Sequence, residues 1–128
     1  MALPEYQRVH LAKPFTWDKT MVYANKQANN AVENIYTVPA GKMFHFVFGH
    51  LAYYTAVNQA YCTIEIGAKF IIFLQSSITA TYKVTDSGAS SFSPSTPITL
   101  PAATEIDVRS SGGALIANAS ITGWLDDV

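Results

Sequence analysis

The longest apolar stretch of the chain alternates along its length. It runs Met43-Phe44-His45-Phe46-Val47-Phe48-Gly49-His50-Leu51-Ala52-Tyr53-Tyr54-Thr55-Ala56, too rich in aromatics and too poor in charge for a surface helix. Counted in twos as a strand, it puts Phe44, Phe46, Phe48, His50, Ala52 and Tyr54 on one face and Met43, His45, Val47, Leu51 and Tyr53 on the other. Both faces want cover, so the pattern predicts a second sheet against one side and a further sheet or a neighbouring subunit against the other.

Shorter runs with the same period surround it. Ile35 to Val38 reads as a strand ending in the turn Pro39-Ala40-Gly41. In Tyr61 to Ile66, Cys62, Ile64 and Ile66 alternate with Tyr61, Thr63 and Glu65, which form a wet face. Gly67-Ala68-Lys69 turns the chain into the continuous apolar run Phe70 to Leu74, and Ile78 to Val84 alternates again. Thr85 to Pro97 reads as a Ser/Gly/Pro loop with Phe92 as a candidate anchor. Thr104 to Arg109 is a strand with Ile106 and Val108 inward and Glu105, Asp107 and Arg109 outward; Ser110 to Gly113 is a turn, and Ala114 to Leu125 is the last strand. About seven or eight strands without an amphipathic helix predict an all-β, single-domain antiparallel β-sandwich, jelly-roll-like.

Residues 1–33 differ. They hold four of the eight basic residues, Arg8, Lys13, Lys19 and Lys26, together with Pro4, Pro14 and the polar run Asn25 to Asn30. They read as an extended N-terminal arm, with room for one or two short strands, attached to a sandwich of residues 34–128 and outside its compact core. Phe15 and Trp17 are costly to leave in water, so the arm is expected to lie in a groove of its own subunit or the next.

Composition adds a reason for company. Only 13% of the 128 residues are charged and 49% are hydrophobic, against about a quarter charged in ordinary soluble domains. A free monomer of this kind exposes apolar patches, which predicts self-association, with Phe15, Trp17, Phe44, Phe46, Phe48, Tyr53 and Tyr54 as candidate contacts. A net charge of −1 without a Lys/Arg cluster points away from nucleic acid as the partner. No window reaches the ~18 apolar residues of a membrane span. Met1-Ala2-Leu3-Pro4-Glu5 lacks the basic-then-apolar pattern of a secretory signal, so a protein made in a cytoplasm and not secreted is expected.

Candidate chemistry is sparse. Cys62, the single cysteine, alternates with Ile64 and Ile66 and reads as a buried small hydrophobe. His45 and His50, five apart on one strand, point to opposite faces unless a bulge intervenes, and His10 is on the arm. No metal site and no cofactor are expected. No serine lies in a Gly-x-Ser-x-Gly elbow. Glu105 and Asp107 share a strand face with Arg109 and read as a solvated surface rather than as the opposed acid pair of a glycosidase. Asn118-Ala119-Ser120 matches a glycosylation sequon, which has little meaning without secretion. Trp17, Tyr53, Tyr54, Tyr61, Tyr82 and Trp124 are candidate platforms for stacking on sugars.

Two lead-ins echo each other: Thr37-Val38-Pro39-Ala40-Gly41-Lys42, and Ile98-Thr99-Leu100-Pro101-Ala102-Ala103-Thr104-Glu105-Ile106, with Ala103 where a glycine is expected. With the closing Ser120-Ile121-Thr122-Gly123-Trp124-Leu125, they resemble small β-sandwich proteins of tailed-phage virions over residues 35–125. The resemblance implies a non-enzymatic virion component assembled without secretion. Such a component is often a trimeric decoration (cement) protein seated on the major capsid protein, or else a tail or fibre module. A carbohydrate- or receptor-binding module is the alternative from a different class.

Overall fold

The structure, a computed structural model, describes residues 20–55, 60–67, 69–76, 86–111 and 115–128. Among these, nine strands form two antiparallel sheets: β1 (Thr20–Asn29), β2 (Val32–Thr37), β3 (Lys42–Thr55), β4 (Tyr61–Ile66), β5 (Lys69–Gln75), β6 (Asp86–Phe92), β7 (Ile98–Leu100), β8 (Glu105–Ser111) and β9 (Ile116–Asp127). The first sheet has the order β1-β9-β3-β6, with β7 also paired to β3; the second has the order β2-β8-β4-β5. The pairs nest. β4 lies with β5, β3 with β6 and β7, β2 with β8, and β1 with β9. The described strands thus form one long hairpin rolled so that β9 meets β3 and β8 meets β4, an antiparallel β-sandwich.

Between the sheets lies an apolar core whose largest fully buried side chains include Phe44, Phe46, Leu51, Ile64, Ile106, Leu115 and Ile121. Each such side chain contributes about 1.5–3 kcal/mol of transfer free energy. Cys62 is fully buried among them, and burial pushes its thiol up to about 12. Tyr53 is also buried. Its hydroxyl donates to Oδ2 of Asp86 at 2.9 Å and lies 3.1 Å from the carbonyl oxygen of Gln75. Burial first, and then that bond to Asp86, push the phenol up to about 12.

Three expectations need correction. The residues expected as an arm include β1, which pairs with β9 over ten register positions from Thr20↔Leu125 to Asn29↔Ile116, so the sandwich already includes Thr20. Within 85–97, expected as a loop, Asp86–Phe92 is a strand on β3; Gly88, Ser90 and Phe92 point inward, and Phe92 packs 6.1 Å from Phe46. The faces of β3 also change partway. Val47 is a bulge between Phe46↔Gly123 and Phe48↔Thr122, so the inward set is Phe44, Phe46, Gly49, Leu51, Tyr53 and Thr55. One extra residue reverses the alternation beyond it. The expected strand Ile78 to Val84 lies outside the described residues.

Candidate assembly surface

The bulge decides which rings of β3 reach the surface. Phe44, Phe46 and Tyr53, expected at subunit contacts, are buried in the sandwich's own core, whereas Phe48 and Tyr54 are exposed on the outer face of the first sheet. Phe15 and Trp17 lie outside the described residues.

The same bulge puts His45 and His50 on one outer face. His45 stacks on Trp124 with ring centroids 4.8 Å apart at 22°. Its Nε2 lies 2.8 Å from Oδ2 of Asp126 and its Nδ1 3.1 Å from Oγ1 of Thr99. Threonine, imidazole and carboxylate come from β7, β3 and β9, a grouping that sequence separation hides. Chemically the chain of contacts fixes the imidazole flat on the indole. His50 Nδ1 lies 3.0 Å from Ser91 Oγ. Among the described residues no group of three His, Cys, Asp or Glu is arranged to hold a metal ion.

The outer face of the second sheet departs most from expectation. Tyr61, Thr63 and Glu65 read as a wet face, yet Thr63 and Glu65 are buried. Cross-strand pairing explains it. Thr63 sits between Arg109 of β8 and Phe73 of β5, and Glu65 between Asp107 and Phe70. Ile71 is a bulge in β5, so Phe70 and Phe73 fall on the same side. Tyr61 and Phe73 stack at 5.6 Å and 20°, with Phe70 6.2 Å from Phe73.

Beneath the rings, Nε of Arg109 donates to Oε1 of Glu65 at 2.9 Å, and the Thr63 hydroxyl donates to the same oxygen at 3.3 Å. The Glu65 side chain is 7% exposed and that of Arg109 41%. The hydrogen bond and charge of Glu65 raise the Arg109 pKa. Asp107, expected with Arg109 on a solvated face, is half-buried and accepts from Nδ2 of Asn34 at 3.0 Å. Phe70 and Phe73 remain 58% and 51% exposed, and Val32 extends the patch across β2. A buried carboxylate held by a part-exposed arginine and bordered by aromatics has the make-up of a protein-contact hot spot.

No protein-family model matches the sequence, and no curated protein matches it. Solved structures do match. The chain overlays on a chain in the capsid asymmetric unit of cyanophage Pam1 with a TM-score of 0.50 at 11% identity, covering 97% of this chain and 91% of that one. The fold resembles that of a phage capsid chain. A chain in the acid-stable capsid of Helicobacter pylori bacteriophage KHP30 gives 0.49 at 10% identity over 85% and 93%. A pentameric capsid protein from metagenomic phage sequences gives 0.43 at 18% identity over 100% and 76%. The comparison rests on the Pam1 chain, and at 11% identity the two share a fold. At that level the likeness drawn from the two Pro-Ala lead-ins holds.

Proposed function

We propose that this chain is a non-enzymatic structural protein of a phage virion, a self-associating protein that decorates the capsid shell. The observation that carries the reading is the patch of Tyr61, Phe70, Phe73 and Val32 around the Glu65–Arg109 pair. It is apolar and exposed, and it is built on the central and edge strands of a rigid sheet. Free in water it is a liability; against another protein surface it is an anchor. The capsid-like sandwich supports the same reading, because jelly rolls are a common building block of viral shells. The partners are further copies of the chain, a trimer being the state implied by the likeness to phage decoration proteins, and the major capsid protein beneath them. Assembly takes place in the host cytoplasm.

Copy number tests this directly. Quantitative mass spectrometry of a purified particle is expected to find the chain in fixed, high ratio to the major capsid protein. A few copies per particle would move it to the tail or fibre, and its absence would overturn the reading.

A further inference from the structure

The outer face of the first sheet carries a hollow of about 360 Å³ that belongs to neither the core nor the aromatic patch. It is lined by Tyr23, Asn25 and Gln27 of β1, Asn118 and Ser120 of β9, and His50 of β3, above the small side chain of Ala52. Strand register builds it from three rows across the sheet. Tyr23 lies beside Thr122 and Phe48, Asn25 beside Ser120 and His50, and Gln27 beside Asn118 and Ala52. Successive rows are about 7 Å apart and neighbouring strands about 4.8 Å. The first row brings the Tyr23 ring to the end of the hollow, and the second is a line of hydroxyl, amide and imidazole. The third is a pair of carboxamides next to a methyl group, which leaves the space open.

The chemistry of this lining is selective. Asn25, Gln27, Asn118 and Ser120 both donate and accept hydrogen bonds, and Ser91 engages Nδ1 of His50, so Nε2 is that ring's other polar atom. None of the lining residues is Asp, Glu or Arg; Lys26 is the only charged one. A nucleic acid would need several cations to neutralise its phosphates. A protein partner anchored on aromatics and arginine is better served by the opposite face. Uncharged groups that both donate and accept, beside a Tyr23 ring that is 69% exposed, match a ligand dense in hydroxyls with apolar C–H faces. We propose that this hollow is an oligosaccharide-binding site, with the Tyr23 ring stacking on a sugar and Asn25, Gln27, Asn118 and Ser120 bonding its hydroxyls. The lining lacks the pair of carboxylates that glycoside hydrolysis requires, so the site binds without cleaving. The proposal does not depend on a place in a virion.

Titration of the full chain with chitohexaose, maltohexaose and a bacterial O-antigen polysaccharide, followed by chemical-shift changes, tests it. Saturable shifts are expected for at least one of the three, centred on the side-chain amides of Asn25, Gln27 and Asn118. Tyr23→Ala and Asn118→Ala are each expected to weaken binding by about tenfold or more, with the melting temperature unchanged because both side chains are exposed. Absence of saturable binding for all three probes at millimolar concentration would overturn the proposal. So would binding that both variants leave intact.

Discussion

The amide of Ala103 donates to the carbonyl oxygen of Val38 at 2.9 Å, and the amide of Val38 donates to that of Thr104 at 3.0 Å. The two Pro-Ala turns that echo each other in sequence are therefore bound to each other in space. Each is closed by its own bond, Lys42 N to Pro39 O at 3.2 Å and Thr104 N to Pro101 O at 3.3 Å. Each also has a left-handed residue at its third position, Gly41 at φ +75° and Ala103 at φ +70°. Alanine in that conformation costs about 1–2 kcal/mol, whereas glycine adds about 0.4–1 kcal/mol of unfolded-state entropy. Ala103→Gly is expected to stabilise the fold by about 0.5–1 kcal/mol, raising Tm by about 2–4 °C. Calorimetry checks the sign.

Gly123 lies on β9 opposite Phe46. A Cβ there would run into the backbone oxygen of His45 and the ring of Phe44, neither of which gives way cheaply. Gly123→Ala is expected to cost about 3 kcal/mol, at the upper end for overpacking. An unchanged urea midpoint would mean that β3 and β9 separate more easily than their pairing suggests.

Glu65 and Arg109 are unequal partners, because the carboxylate is buried and the guanidinium is not. Arg109→Met strands a desolvated charge and is expected to cost about 3 kcal/mol. Glu65→Gln leaves an amide beside a guanidinium that water reaches, and about 1 kcal/mol is expected. Equal losses in chemical denaturation would contradict the burial argument.

The Cys62 thiol and Tyr53 phenol both have folded-state values near 12, above their ordinary 9.0 and 10.0. Both are neutral when protonated, so the native state holds its protons more tightly than the unfolded chain does. Their contribution to stability is complete below about pH 9 and is lost as pH rises towards about 12. Stability should therefore fall across that window, and a thiol reagent at neutral pH should label Cys62 only at the rate of unfolding.

Phe70→Asp with Phe73→Asp is expected to shift sedimentation from oligomer to monomer at micromolar concentration. Both rings are more than half exposed, so the urea midpoint should change little. A monomeric parent chain would remove the patch as a self-association surface.

Much of this fold was legible, and the exceptions share a cause. β4, β8 and β9 carry their alternation in β-branched and apolar residues, and their inward faces follow from it, but only β4 has the expected bounds: β8 runs on through Ser110 and Ser111, read as a turn, and β9 starts and ends two residues later than read. The strand β3 was legible too, but its faces were not, since nothing local distinguishes Val47 as the bulge; the register with β9 decides it. β6, with Ser87, Gly88, Ala89, Ser90 and Ser91, has the composition of a loop. It is a strand because β3 offers a partner, and Gly88 is small because the Tyr53 ring fills its place, 2.6 Å from where a Cβ would stand. The aromatic patch on the second sheet is hidden from the sequence for a similar reason. Each of Tyr61, Phe70 and Phe73 was visible, but the bulge at Ile71 and the pairing of β4 with β5 are needed to bring them over Glu65.

The order of synthesis gives the nested pairing one more consequence. β9 follows every other described strand in the chain, yet it stands between β1 and β3 and is the strand that β1 pairs with. The tip pair β4–β5 closes over a few residues and needs nothing downstream, whereas β1 waits until β9 has emerged. A product cut short before β9 would leave an open seam down the middle of the first sheet, with β1 and β3 both lacking their shared neighbour.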